Sequence, residues 1–176
     1  MADLIPYRLL VLQRLTALLE GIDALDQNGQ PYVLAGSVYR GRIEFGSDTP
    51  LPAVSILESP TPANGVFAGE AEVRSEAWVL LIQGWAVDDA LNPSDPAYWL
   101  AAAVEQRLSL ITATRDDGSG RPLDAVNYLL GKLIAGIEVG PHVVRPLDQK
   151  TSSRACFYLP VRVALARSIG EPYRSQ

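Results

Sequence analysis

The sequence predicts an α+β domain with a mainly antiparallel sheet, an N-terminal helix and further helices packed on the sheet. Its 176 residues, 48% of them hydrophobic, suit one core, since single cores usually hold about 100–200 residues. Strand-like segments also follow one another directly instead of alternating with helices, which is typical of α+β domains. The predicted order is α-β-β-β-α-α-β-β in a single domain at residues 1–166, followed by a tail at 167–176 that could act as an interface arm.

The first predicted element is an amphipathic helix over residues 4–24. Its apolar positions recur every three or four residues, which places them on one side of a helix. Pro6 suits the first turn, and the polar stretch at 26–31, which contains glycine and proline, ends the helix. The apolar set is Val11, Leu15, Leu18, Ile22 and Leu25.

Three strands are predicted next, at residues 37–45, 53–58 and 71–87. Arg40 and Arg42 share one face of the first strand, because alternate side chains of a strand point the same way. This face is either a subunit or channel-lining surface, or the ordinary solvent-facing side of a sheet.

The third of these strands follows a proline-rich loop at 59–70 and becomes apolar on both faces at residues 78–82. Such a strand is expected to be covered on both sides, by a helix, a second sheet or another subunit. Trp78 and Trp85 point to opposite faces because their spacing is odd. One of them is expected to meet a partner, although a helix covering the second face would explain the pattern equally well.

A second helix is predicted to begin at Asp95, its N-cap, with Pro96 as the first helical residue, and its apolar stripe runs to Ile111. A loop at 112–121 separates it from a shorter helix at 122–135. Two strands close the domain, at residues 137–144 and 155–166. Pro160 lies inside the last one and indicates an edge position or a bulge.

The composition is poor in catalytic and metal-binding side chains. One Cys allows no internal disulfide, and His142 alone cannot supply a zinc site of several His or Cys ligands. The nucleophile-elbow, phosphate-loop and dinucleotide-binding motifs are all missing. No cofactor or metal is therefore expected, and the protein is predicted not to be an enzyme.

One alternative is a small enzyme or ligand-binding domain that uses acidic pairs or the single histidine. It requires a cavity in which at least two of these groups converge. The simpler interpretations are an exposed strand end, a solvated turn and a structural histidine. The residues concerned are Asp88, Asp89, Asp116, Asp117 and His142.

The charge and hydropathy patterns bear on partners and location. A formal net charge of −5 disfavours a general nucleic-acid-binding surface. Thirteen Arg accompany two Lys, a bias that suits partly dry protein interfaces but that GC-rich coding would also produce. Residues 1–12 lack a signal-peptide pattern, and the apolar run at 77–82 is far shorter than the about 20 residues of a membrane helix. A protein made and kept in a cytoplasm, without membrane contact, is expected.

Three sequence blocks carry a resemblance to a known family: GSVYRGRIEFG at residues 36–46, LPAVSILE at 51–58 and WVLLIQGW at 78–85. With the order of elements over residues 4–165, they resemble the tail-terminator (tail-completion or minor tail) proteins of long-tailed bacteriophages. The resemblance implies a non-enzymatic virion protein, assembled in the host cytoplasm and placed at the head-proximal end of the tail. Such proteins form hexameric rings that cap the tail tube, stop its polymerisation and provide the surface that joins the head.

The resemblance also implies the partners. They are further copies of the chain in a ring, the tail tube protein, a head-completion or neck protein, and DNA that passes through the lumen without sequence-specific binding. The alternative within virion structure is a head–tail connector or neck protein. A ring subunit needs two different complementary patches, because head-to-tail contacts generate rings. The candidate subunit or tube contacts are Arg40, Arg42, Trp78 and Trp85.

Overall fold

A computed structural model gives the fold and describes residues 4–46, 48–58, 73–145, 154–168 and 172–175. The α+β class, the mainly antiparallel sheet and the predicted order of elements are confirmed, with short extra strands at both termini. The predicted loop 59–70 lies outside the described residues. The elements are β1 (Leu4–Pro6), α1 (Tyr7–Glu20), β2 (Val38–Arg40), β3 (Ala53–Glu58), β4 (Val73–Val87), α2 (Asp95–Ser109), α3 (Leu129–Lys132), β5 (Gly136–Val139), β6 (Val143–Arg145), β7 (Arg154–Ser168) and β8 (Tyr173–Ser175).

Two 15-residue strands, β4 and β7, form the centre of the main sheet and pair antiparallel along their whole length. β3 pairs antiparallel with the other side of β4, and β2 adds to β3 as a parallel edge strand. β5 and β6 both pair with the free side of β7. The strand order is therefore β2-β3-β4-β7-β5, with β6 beside β7 as well. β8, within the predicted tail, pairs with β1 in a separate ribbon.

The core lies between this sheet and the two longer helices. Apolar side chains that alternate along the central strands, such as Leu80, Ile82 and Phe157, are fully buried on one side, which we call the inner face. Val11 and Leu15 of α1 are fully buried in the same cluster. Because successive strand residues point to opposite sides, Trp85 lies on the other side, the outer face.

The first two predicted elements are shorter than expected. The helix begins at Tyr7 instead of residue 4, because Leu4–Pro6 pair with β8. The strand predicted at 37–45 ends at Arg40. Gly41 still donates its N–H to the Ile56 carbonyl, but its φ of +73° turns the chain out of the ladder. α2 begins as expected, except that its N-cap is Ser94 and its side chain makes no capping hydrogen bond.

The prediction that Pro160 marks an edge strand or a bulge is wrong for the edge, because β7 has paired strands on both sides, and correct for the bulge. The register shifts by one residue opposite Pro160, where the three residues 140–142 that connect β5 to β6 face only two residues of β7. Gly140 donates its N–H to the Pro160 carbonyl, and a Cβ at Gly140 would lie 2.9 Å from Cγ of Pro160. The absence of an N–H group on Pro160 therefore costs little, because no residue of β5 or β6 is its register partner.

The predicted helix at 122–135 is also wrong, because α3 is a single left-handed turn. Leu129, Leu130, Gly131 and Lys132 all have φ values between +49° and +73°. The Asp124 carboxylate accepts backbone N–H groups from the two residues at 126 and 127, which favours a turn over a helix start. The left-handed turn is held by burial of Leu130 at 2% exposure.

This turn allows a stabilising substitution. Lys132 is exposed and has a φ of +67°, a conformation that costs an ordinary residue about 1–2 kcal/mol and glycine nearly nothing. After the extra unfolded-state entropy of glycine is deducted, we expect Lys132→Gly to raise the free energy of unfolding by about 0.5–1 kcal/mol in urea titrations. Lys132→Ala, the matched control, keeps the strain and should be neutral. A glycine variant no more stable than the alanine variant would contradict this account.

Candidate subunit interface

An aromatic cluster covers part of the outer face. Residues 42–46, just after β2, fold back so that the Phe45 ring lies 4.1 Å from the Trp85 ring and 5.5 Å from the Tyr39 ring, centroid to centroid. Arg154 of β7 donates hydrogen bonds to the carbonyls of Phe45 (3.2 Å) and Gly46 (2.7 Å), which hold the segment on the sheet. Trp85 is therefore half-buried by a loop of its own chain.

Arg42 belongs to this cluster and not to a strand face shared with Arg40. Its guanidinium carbon lies 4.6 Å from the Tyr39 ring centroid and 4.8 Å from that of Phe45. It also donates hydrogen bonds to the Glu44 carbonyl and to the Thr49 hydroxyl. The expected common face of Arg40 and Arg42 is therefore wrong: Arg40 is exposed at the end of β2, whereas Arg42 stabilises the loop.

Trp78 and Trp85 point to opposite faces of β4, as the spacing predicts. Trp78 is 5% exposed on the inner face, and the Arg8 guanidinium carbon lies 5.0 Å from its ring centroid. Trp78 is therefore part of the core, which corrects its prediction as an interface residue. Trp85 lies under Phe45, so neither tryptophan is freely available to a partner.

An apolar groove opens beside the β2 edge of the sheet. It has a volume of about 720 Å³ and runs from the end of β2, past the end of β3, to β4 and β7. Arg40 and Glu58 supply charge at its walls, and the rest of the described lining is apolar apart from backbone. The lining used below is Arg40, Ile43, Leu57, Glu58, Leu81 and Pro160.

A second apolar surface lies at the opposite edge, where α2 meets the β5–β6 connection. Tyr98 and Trp99 are 52% and 50% exposed, and the Tyr98 ring packs edge-on against His142, 5.7 Å between centroids. His142 Nδ1 lies 2.7 Å from Oε1 of Glu105, a half-buried carboxylate of α2, so one ring nitrogen of the histidine is paired. The single histidine is thus held between the Glu105 carboxylate and the Tyr98 ring.

Two of the candidate acidic residues do line a common cavity. Asp88 and Asp89 border a polar space of about 310 Å³ together with Asp26 and Tyr32. Backbone N–H groups of Asn92 and residue 91 hold the pKa of the Asp89 carboxyl below its usual value. Burial, with the charge of Asp26, raises the pKa of Tyr32 to about 12. The Gln27 side chain donates a hydrogen bond to Asp89 across this space, and His142 lies at the far edge of the sheet.

The remaining candidates lie in separate places. Asp116 and Asp117 occupy an exposed turn in which hydrogen bonds from Ser119 hold the pKa of Asp117 below its usual value. The single cysteine, Cys156, which is not one of these candidates, is half-buried on β7, and burial raises the pKa of its thiol, although Arg145 acts against this. The structure therefore brings Asp88 and Asp89 together and leaves the other candidates apart.

The described part of the chain holds no group of three or more His, Cys, Asp or Glu side chains placed to bind a metal ion. Among the same residues, no helix has the length and apolar character needed to cross a membrane.

Fold and site together define a small α+β protein whose helices cover the inner face and whose sheet edges carry two different apolar surfaces. No protein-family model and no curated protein sequence matches the chain.

Sequence reasoning missed the surface made by Tyr98 and Trp99. Both residues fall between the buried positions Ala97 and Leu100 of α2, so the helical stripe already excluded them from the core. Two neighbouring aromatic side chains outside a buried stripe were the available signal. The contact of Tyr98 with His142 brings together residues 44 positions apart and has no local signature.

Proposed function

We propose that this chain is a structural virion protein that forms a hexameric ring on the end of a phage tail tube, ends tube polymerisation and provides the head-joining surface. The observation that carries the proposal is the pair of unlike apolar surfaces at opposite edges of one sheet. Ring closure by head-to-tail contacts needs such a pair. The resemblance of residues 36–46, 51–58 and 78–85 to tail-terminator proteins supplies the location of the ring.

The charge of the chain supports the same role. A formal net charge of −5 on each subunit disfavours strong attraction of DNA to the ring as a whole. DNA would then pass through the lumen without being retained, which suits a part that stands between head and tail.

Deletion of the gene from its phage tests this function. Without a terminator, tube polymerisation has no stop, so we expect overlong tails that lack heads in negative-stain electron micrographs. Expression of the intact gene in trans should restore tail length and infectivity. Normal-length tails beside unsealed heads would assign the chain to the head side, as a connector or neck protein. Normal particles would refute a role in assembly.

The same complementation assay separates a structural part from an enzyme. A variant with Asp88→Asn, Asp89→Asn, Asp116→Asn and Asp117→Asn removes the candidate acidic groups and keeps His142, which packs against Tyr98. A ring subunit with this variant should still restore tail length, provided that the variant folds. Folded protein without complementation would favour the enzymatic alternative.

A further inference from the structure

The aromatic surface of α2 contains one ring that neighbouring side chains hold in place. We call the side chains of Tyr98, Trp99 and Ala102 the aromatic patch; all three are exposed on α2. Tyr98 is fixed by its contact with His142, which is in turn fixed by Glu105. An aromatic side chain held in place in the free protein loses little conformational entropy on binding, which is typical of hot-spot residues.

The patch and the groove lie at opposite edges of the sheet. Tyr98 contacts the β5–β6 connection, on the far side of β7, whereas the groove begins at Arg40 and Ile43, beside edge strand β2. Four strand spacings separate β2 from β5, or about 20 Å at about 4.8 Å each. The groove extends across β4 to Pro160 on β7, but because Tyr98 is held against His142 on the β5–β6 side, the patch of one copy does not reach the Arg40 end of its own groove.

Glu58 and Arg40 both border the groove, and Arg40 is opposite in charge to an acidic residue beside the patch. Asp95 is exposed one turn before Trp99, and residues four apart share a helix face. Arg40 is exposed at the wall of the groove. An Arg40–Asp95 pair would set the direction of docking, while apolar contact supplies most of the affinity.

We propose that the groove of one copy receives the aromatic patch of the next copy, with Trp99 in the groove and Asp95 beside Arg40. The contact is head-to-tail, so it leaves one free groove and one free patch at the ends of every open assembly. The inference rests on the proposed function, since it names the contact by which the ring would close.

Single and paired substitutions test the contact by light scattering and sedimentation. The wild-type chain should form multiples of 19.0 kDa in a concentration-dependent way. Trp99→Ala and Arg40→Glu should each weaken self-association about 30-fold or more, while Leu123→Ala, at a residue of similar exposure (54%), should not. Arg40→Glu combined with Asp95→Arg should recover most of the loss. All four variants change exposed side chains, so circular dichroism and urea titration should show a normal fold.

Mixing two defective proteins tests the direction of docking. Trp99→Ala leaves an intact groove, and Arg40→Glu leaves an intact patch, so an equimolar mixture contains one productive contact. We expect a species of twice 19.0 kDa that grows no further. Neither protein alone should form it.

Several results would overturn the inference. They are a wild-type chain at 19.0 kDa at every concentration, self-association unchanged in Trp99→Ala, or no dimer from the mixture. Loss of binding to tube protein without loss of self-association would assign the patch to the tube instead. If the contact holds but deletion leaves tail length normal, the ring role fails while the contact stands. If deletion gives overlong tails and these variants still self-associate, the ring role stands and the proposed contact fails.

Discussion

Gly84→Ala should lower the free energy of unfolding by about 2–3 kcal/mol, because the new methyl group collides with Phe157. Gly84 and Phe157 are register partners on β4 and β7, and both are buried on the inner face. A Cβ at Gly84 would lie 2.6 Å from Cζ of the Phe157 ring and closer still to Cε1. The ring is fully buried, so it has no free space into which to move. Urea titration followed by circular dichroism measures the loss.

Two further variants make this prediction specific. Gly136 lies in β5, and a Cβ there would meet nothing within 4 Å, so Gly136→Ala should change the free energy of unfolding by less than about 0.5 kcal/mol. The smaller side chain in Phe157→Leu should reduce the cost of Gly84→Ala, which a double-mutant cycle detects as coupling. Equal costs in the two backgrounds would show that the ring is not the cause.

Helices and strands that bury a full face were predictable from the sequence. The spacing of Val11, Leu15 and Leu18 gives α1, and the alternation around Phe157 gives β7, because burial on one side leaves a periodic record. The ends were less predictable. Leu4–Pro6 became a strand through a partner about 170 residues away, and a single glycine at 41 ended β2. Tertiary pairing and one backbone dihedral decide such boundaries, and the spacing of hydrophobic residues gives no information on either.

The candidate interface was likewise predictable from the sequence only in part. Odd spacing alone placed Trp78 and Trp85 on opposite faces, as the structure has them. The spacing does not say which tryptophan lies in the core, because that depends on which face the helices cover. It also does not predict that Trp85 is covered, because the covering loop was predicted to be part of a strand. The groove at the β2 edge exists because the chain leaves the ladder at Gly41, so the failed strand boundary and the unforeseen groove have one cause.

Phe45→Ala should lower the free energy of unfolding by about 2–3 kcal/mol, because Phe45 joins the covering loop to the outer face. The change removes its ring contacts with Trp85 and Tyr39 and its contact with Arg42. Ala53, opposite Trp85 in the β3–β4 register, is fully buried beneath this part of the face. We therefore also expect faster acrylamide quenching of tryptophan fluorescence, since Trp85 becomes accessible.

Two substitutions at the same loop separate the aromatic contact from a general effect of loop mutation. Glu44 is exposed and accepts the Arg42 hydrogen bond through its backbone carbonyl, so Glu44→Ala should be nearly neutral. Phe45→Leu keeps an apolar cover but loses the ring stacking, and we expect about half the cost of the alanine variant. Phe45→Ala with unchanged stability and quenching would mean that the Arg154 hydrogen bonds to the backbone hold the loop without the ring. A large loss of stability in Phe45→Ala with an intermediate loss in Phe45→Leu would instead show that the aromatic cluster closes this end of the outer face. The open apolar surface at the β2 edge would then be limited to the groove.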